Sequence, residues 1–360
     1  MWPFLISLVL AAIISPGVIY FYRKFGWVDN PEKQLHIKHT HQVAVPRGGG
    51  LVVILAILIS SGFLLDFDKY LIAILTGSLI LAITGVVDDI FDISPYIRMG
   101  TGLLASLIVV GAGIGIAYVS NPFGPGVIHL DQPRLDFFFG GNWHQIWLFS
   151  SLFAIFFINW NMNIVNWAKG VDGQLPGFVS VAAIMIGLLS NNFHDIPTQF
   201  TTSTLSFIVA GAFAGLLIWN WYPQKIMPGY GAGSLAGFFL SILAILSGAK
   251  VATTLMVLAI PTADGIFTIA RRILAGKSPF WGDRGHLHHK LMDVFGWGRR
   301  RIAVFYWLSS AILGGLSLYL DTTGKIIILT LTLVFVFGIL VFAKHKTNSH
   351  LRPTSGSSTT

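Results

Sequence analysis

The chain has only 15 acidic residues in 360, and three of them fall together in Asp88-Asp89-Ile-Phe-Asp92, directly after an apolar stretch. Carboxylates this close at the end of an apolar segment repel one another unless a cation or a proton compensates. Continued as a helix, the segment puts Asp88 and Asp92 on one face at i, i+4, with Asp89 beside them. Hard oxygen donors at that density suit Mg2+ or Mn2+. A solvated acidic helix end is the plainer alternative.

A second group is Asn159, Asn161, Asn163 and Asn166, followed by Lys169-Gly-Val-Asp172-Gly173. Asn159, Asn163 and Asn166 make one stripe of a helix. Polar side chains at such depth are costly in lipid and face a cavity or another helix, where helix–helix hydrogen bonding is the competing use. The glycine-rich turn after them exposes backbone amides that could meet a phosphate. A third group, Asp283-Arg284-Gly-His286-Leu-His288-His289, lies in the most basic connection of the chain. Three histidines with Arg284 can grip a phosphate or pyrophosphate, the arginine by its planar fork. Zinc held by His286, His288, His289 and Asp283 stays open as an alternative. Two weaker signals are the basic run that contains His41 and ends in Pro46-Arg47-Gly48-Gly49-Gly50, and Asp264, an acid inside an apolar segment. Such an acid needs a partner, and Arg271, seven residues on, suits a helical pair less well than a residue at i+4 would.

These groups must be positioned by elements of an unusual kind. Hydrophobic residues make up 54% of the chain and charged residues 11%, with a mean hydropathy of +0.72. That is about half the charge of a soluble domain, so most of the surface faces lipid. Spanning a bilayer takes about 20 apolar residues. Runs of that kind occur at about 3–22, 49–65, 70–87, 99–119, 146–164, 174–190, 203–221, 234–247, 251–270, 302–320 and 325–343. The expected fold is an all-α polytopic membrane protein with about 10–11 transmembrane helices. Residues 1–345 form a single multi-helix domain, and 346–360 form a polar, disordered cytoplasmic tail. Loop 120–145, rich in Pro, Gly and aromatics, is expected to cap the outer face.

If the N-terminus lies outside, nineteen of the 23 Lys and Arg fall on the cytoplasmic connections and tail, and four on the other side. That is a clear positive-inside distribution. It also explains the net charge of +8 without nucleic-acid binding. The three groups above lie on this cytoplasmic side. A transporter would place its site at the midplane on broken repeats, and no internal repeat is evident. With no cysteine in the chain, disulfides, thiolate metal sites and cysteine nucleophiles are excluded.

Taken together, the motifs resemble the polyprenyl-phosphate N-acetylhexosamine-1-phosphate transferases, glycosyltransferase family 4. This family includes GlcNAc-1-phosphate transferases and the phospho-MurNAc-pentapeptide translocase. The likeness runs from about Asp29 to Leu291 and keeps motif order. It comprises His41 with Pro46-Arg47-x-Gly49-Gly50, Gly85-Val-Val-Asp88-Asp89 through Ser94-Pro95 and Arg98, and Asn163-x-x-Asn166 with Gly170-x-Asp172-Gly173. Asp264, Arg271-Arg272 and Asp283-Arg284-x-His286-Leu-His288-His289 complete it.

The resemblance implies transfer of a sugar 1-phosphate, expected to be GlcNAc-1-phosphate, from a UDP-sugar to polyprenyl phosphate in a bacterial inner membrane, serving cell-envelope glycan synthesis. By that likeness Asp88 and Asp89 divide metal binding and lipid-phosphate activation. Asn163, Asn166 and Asp172 meet the nucleotide side of the donor. Arg284, His286, His288 and His289, with His41 and Arg47, hold phosphate oxygens. Mg2+ or Mn2+ is the implied cofactor. UDP-sugar, polyprenyl phosphate and the bilayer are the implied partners, and a homodimer is the assembly to consider.

Two positions depart from the family pattern. Lys169 stands where Asp-Gly-x-Asp-Gly has its first acid, and Gly231 stands where an acid precedes a small-Gly-Ser run and helps hold the metal. The first change adds two positive units and the second adds one. Three readings follow. Lys169 partly or wholly replaces the metal, the site takes another donor, or the chain is a non-catalytic binder of the lipid carrier.

Overall fold

A computed structural model describes residues 1–30, 43–122, 124, 126–191, 197–247, 250–279 and 283–350. In chain order α1 (Trp2–Lys24) leads to a short antiparallel pairing of β1 (Val28–Asp29) with β2 (Val45–Pro46). Then come α2 (Gly49–Leu64), α3 (Lys69–Phe91) and α4 (Pro95–Gly111). Two hairpins follow, β3 (Tyr118–Ser120) with β4 (Val127–His129) and β5 (Arg134–Phe139) with β6 (Asn142–Trp147). The remaining helices are α5 (Leu148–Trp167), α6 (Gln174–Asn191), α7 (Pro197–Asn220), α8 (Gly229–Leu246), α9 (Lys250–Val257), α10 (Ala259–Leu274), α11 (Leu287–Asp293), α12 (Arg299–Tyr319) and α13 (Thr322–His350).

This is an all-α polytopic membrane fold. Among the described residues eight helices are long and apolar enough to cross a bilayer, or nine if α9 and α10, bent by 87° at their break, are taken as one span, and α2 and α4 are shorter apolar helices. Each expected apolar run therefore appears, with three corrections. The run 251–270 is broken, for a local reason: Pro261 cannot tolerate a helical carbonyl four residues back, and α9 ends at that residue, Val257. The freed Val257 carbonyl accepts from Ser310 Oγ of α12 at 2.9 Å. The run 99–119 stops at Gly111 because Gly113 takes a φ of +105°. At the other end of the chain, α13 continues to His350, past the expected start of the tail at 346, and residues 351–360 lie outside the described residues. Loop 120–145 carries strands of both hairpins. Its larger hairpin turns at Gly140 and Gly141, both with positive φ, the two-residue turn that suits strand twist.

Helices in lipid approach closely where residues are small, and the core is built on that rule. α8, the most enclosed span, is lined with Gly231, Ala232, Gly233, Ser234 and Gly237. A Cβ at Gly50 of α2 would stand 2.7 Å from the Cα of Gly231, and one at Gly85 of α3 would overlap the same atom. Three helices thus cross at three glycines. On another face Gly211 and Gly215 of α7 let α1 approach until its backbone at Phe4 and Leu8 fills the space of a side chain. Trp219 Nε1 adds a hydrogen bond to the Ala12 carbonyl at 3.0 Å.

Candidate active site

The three-glycine crossing fixes the end of α3 against the start of α8, which is where the acidic group lies. α3 ends at Phe91, and Asp92 caps it in the left-handed conformation with φ 47°. Ser94 then caps α4, its hydroxyl accepting from the Tyr96 N–H at 3.3 Å, with Pro95 at the first helical position, where its missing N–H does no harm. This tight reversal returns Arg98 over the end of α3. Its guanidinium lies 2.5 Å from Asp88 and 2.7 Å from Asp92. The expected helical pairing of Asp88 with Asp92 is therefore replaced by an arginine clasp.

Asp89 faces the other way. Its Oδ1 accepts from the Tyr230 N–H at 2.9 Å, and the carbonyl of the same peptide unit, on Gly229, accepts from Lys169 Nζ at 2.6 Å. One peptide therefore links a carboxylate to an ammonium. Gly229 is required there twice over. Its φ is +67°, and a Cβ would collide with the Asp89 carboxylate and lie 2.5 Å from the Arg47 carbonyl. Lys169 sits just beyond α5. Burial pulls its ammonium below the ordinary lysine value, while Asp89 and Asp88 pull it back up. Arg47 places Nε and Nη2 on Asp29 Oδ2, at 3.1 and 2.6 Å. Its charge is thus countered by a buried acid the sequence reading passed over. The glycines after Arg47 serve packing: the Gly49 N–H donates to Met227 at 3.0 Å, and a Cβ there would lie 2.7 Å from Pro228.

The histidines form a second cluster, joined to the first through the turn after Lys169. Gly170 has no room for a Cβ because the His288 ring lies against it. Asp264 is the organiser. Its Oδ2 lies 3.0 Å from His286 Nδ1, and its Oδ1 accepts from the Leu287 N–H at 2.9 Å. Arg272 Nη2 approaches His286 Nε2 at 3.4 Å, so that nitrogen accepts and Nδ1 carries the proton toward Asp264. The partner of Asp264 is thus His286, across a helix break, and not Arg271.

Arg271 lies 2.8 Å from both oxygens of Asp283. Arg272 Nε and the Gly285 N–H add contacts at 3.3 and 2.7 Å. Burial alone would raise the Asp283 carboxyl, yet these partners hold it down to about 2. The zinc set expected as an alternative is therefore not assembled, since Asp283 is turned to the arginines. His288 and His289 are 2% and 4% exposed, and the Nδ1 of each has no hydrogen-bond partner among the described residues. Arg284 pairs with Asp293 at 2.9 Å.

Replacing Asp264 with alanine should let the His286 ring turn. A misplacement of that kind costs about 100-fold in rate, so turnover of Asp264→Ala should fall by about that factor while Asp264→Asn, which keeps an acceptor, loses less.

The same cluster carries a pH signature. Burial, with Arg284 and His286, brings His289 from 6.5 to about 4, and burial with its neighbours holds His288 well below the imidazole value. The unfolded chain therefore binds protons that the native chain refuses. Native stability should fall as pH drops from about 6.5 toward 4, at up to about 1.4 kcal/mol per unit for each histidine. Thermal melts of His289→Gln should show a flatter profile over that window.

Other expected residues fall at the margin. Asn159 joins α5 to α4 through Ser106 Oγ at 2.8 Å, and the Asn163 amide returns to its own helix at the Asn159 carbonyl. Asn166 faces α8 at Gly233. Asp172 is buried; its Oδ2 accepts from the Gln224 N–H at 3.2 Å and lies 3.8 Å from Arg299. The glycine turn does not present a cradle of amides: the Val171 N–H is bound by Gln174 Oε1 and the Gly173 N–H by Asn220 Oδ1. His41 lies outside the described residues. Sequence reading missed Asp29, Gly229 and Tyr230, and only Arg98, matched as part of a motif, carried a signal.

The pattern of glycosyl transferase family 4 matches residues 71–248, the stretch that carries Asp88, Asp89, Asn166, Lys169, Asp172 and Gly229. Similarity extends well beyond it. The chain is 25% identical over 350 residues to a probable undecaprenyl-phosphate N-acetylglucosaminyl 1-phosphate transferase of Bacillus subtilis (strain 168), covering 94% of this chain and 88% of that one. It is 29% identical over 335 residues to a phospho-N-acetylmuramoyl-pentapeptide-transferase of Shouchella clausii (89% and 98%). It is 26% identical over 340 residues to a decaprenyl-phosphate N-acetylglucosaminephosphotransferase of Mycolicibacterium smegmatis (84% and 78%). The chain belongs to glycosyl transferase family 4.

Within family 4 a divalent cation is the cofactor the resemblance implies, and the residues present can be tested against it. Asp88 is clasped by Arg98, Asp89 is bound by the Tyr230 N–H, and Gly231 brings no donor. Among the described residues no three His, Asp or Glu side chains gather so as to hold a metal ion. An ammonium also lies in the field of both carboxylates. This donor set does not fit a divalent cation, and the chemistry below is derived from the chain's own groups.

Proposed function

We propose that this family 4 protein transfers a sugar 1-phosphate, GlcNAc-1-phosphate by resemblance, from a UDP-sugar to polyprenyl phosphate at the inner leaflet of a bacterial inner membrane, supplying cell-envelope glycan synthesis. The observation that carries this reading is the peptide that ties Asp89 to Lys169 beside the histidine cluster, at one end of an apolar bundle. The lipid phosphate oxygen attacks the sugar-bearing phosphorus. The bond from that phosphorus to the bridging oxygen breaks, and UMP departs with the electron pair. A dianionic acceptor makes the charges balance with no net proton transfer.

Both reactants are anions, so positioning and charge neutralisation carry most of the catalysis. Asp88 and Asp89 orient the acceptor phosphate and accept its proton when it arrives as the monoanion. The neutral His288 and His289, with His286 and Arg284, hold donor oxygens. Asn163, Asn166 and Asp172 serve the nucleotide side, and Arg47 and His41 hold phosphate oxygens by resemblance. Association into a homodimer is an expectation of the resemblance.

The test is UMP release by purified protein given undecaprenyl phosphate and a panel of UDP-sugars. Release that requires the lipid supports the reading. Its absence with every donor, from folded protein that binds the lipid, would assign the chain to lipid-carrier binding instead.

A further inference from the structure

Lys169 has an unusual setting. It follows the last turn of α5, is partly buried, and among the described residues has a single hydrogen-bond acceptor, the Gly229 carbonyl at 2.6 Å. Among the described residues no carboxylate forms an ion pair with it. A lysine ammonium has three donors, so two remain beyond the one on Gly229. Leaving a partly buried charge without a contacting anion is costly, and the described residues supply the Tyr230 ring at 6.0 Å and charges at longer range, from Asp89, Asp88, Arg47 and Arg98.

The geometry holds the ammonium in place. Gly229 is pressed against the Asp89 carboxylate and the Arg47 carbonyl, with a positive φ. The neighbouring amide is bound to Asp89, so the carbonyl that receives Lys169 cannot turn away without breaking that bond. Arg98 and Lys169 contribute two positive units against the two buried carboxylates Asp88 and Asp89, and Arg98 also pairs with the exposed Asp92. A dication added there would meet an ammonium in a setting of low dielectric, with two carboxylates already compensated. An anion would find two donors that meet no acceptor among the described residues.

Taking the transferase reading as its basis, we infer that the Lys169 ammonium, held by the Gly229 carbonyl, contacts the pyrophosphate of the donor in the place of a divalent cation. It neutralises the oxygen on which charge develops as UMP leaves. No proton moves at Lys169 in this step. It donates hydrogen bonds to the phosphate and stays charged throughout, while the bond to the departing oxygen breaks as already described.

The test needs two readouts. The first is Mn2+ binding, followed by electron paramagnetic resonance on purified protein in lipid nanodiscs with a UDP-sugar present. Mn2+ should show no stoichiometric binding to the unsubstituted protein and should bind Lys169→Asp at about one ion per chain. The second is UMP release in excess EDTA. Unsubstituted protein should keep its rate within about twofold of that in Mg2+, and Lys169→Met should lose at least about 100-fold, as when one donor to a developing charge is removed. One tightly bound Mn2+ per unsubstituted chain, lost in Asp88→Asn, would overturn the inference. So would turnover that is abolished by EDTA and restored by Mg2+. Both of those outcomes come from the unsubstituted protein or from Asp88→Asn and do not depend on a Lys169 variant folding. If no UDP-sugar gives UMP under any condition, the transferase reading fails, and the Mn2+ result still decides whether a metal occupies the place assigned to Lys169.

Discussion

Asp89→Asn is expected to lower lipid-dependent UMP release by about 1,000-fold or more, within the range lost when a group moving protons at the reacting centre is removed. The substitution is nearly isosteric, and an asparagine carbonyl can still accept from the Tyr230 N–H that Asp89 Oδ1 now receives at 2.9 Å. The fold should therefore persist. What disappears is one negative charge facing Lys169 across a single peptide, together with the means of holding or deprotonating the acceptor phosphate. Circular dichroism and thermal melts should match the unsubstituted protein. A variant that keeps more than about a tenth of the rate would remove Asp89 from the chemistry.

Gly85→Val should act through packing and reach the site indirectly. A Cβ at Gly85 overlaps the Cα of Gly231, so α3 and α8 must separate. Overpacking of this kind costs about 1–3 kcal/mol, and Asp89 lies one helical turn further along α3. Any separation opens the contact between Asp89 and the Gly229–Tyr230 peptide. A lower melting temperature together with loss of UMP release is the expected pair of results. Gly17→Val is the comparison. Nothing lies within 4 Å of a Cβ at that position of α1, and both properties should stay close to those of the unsubstituted protein. If Gly85→Val melts and turns over normally, the three-glycine crossing does not position the site.

Much of the fold was legible because lipid imposes a simple rule: long apolar runs become apolar helices, and each of the runs read from the sequence contains one. What failed depended on single residues. Pro261 breaks the ninth span, and its effect falls four residues upstream, where hydropathy gives no sign. Gly140-Gly141 between alternating residues is a hairpin signal that the aromatic character of the loop obscured.

Legibility of the site divides in the same way. Asp88, Asp89 and the three histidines were visible as rare residue types in clusters. The partner of Asp264 was not, since His286 lies 22 residues on, beyond any helical spacing. Tyr230 acts through its backbone N–H, and the contacts that require a glycine at 229 come from Asp89 and Arg47, far away in sequence. The amides of Val171 and Gly173 looked available for a phosphate, and only the fold shows Gln174 and Asn220 bound to them. Lys169 was readable as a departure from a motif, but its tether to a carbonyl 60 residues away was not.

The bond that breaks is the centre of the account, and labelling the sugar-bearing phosphorus of the UDP-sugar with 32P follows it directly. In the presence of polyprenyl phosphate, the label should move with the sugar into the organic phase while unlabelled UMP appears in water in equal amount. Label left in water as UDP would mean transfer of the sugar alone, and label appearing as a free sugar phosphate would mean hydrolysis. Either result would contradict transfer of a sugar phosphate to the lipid.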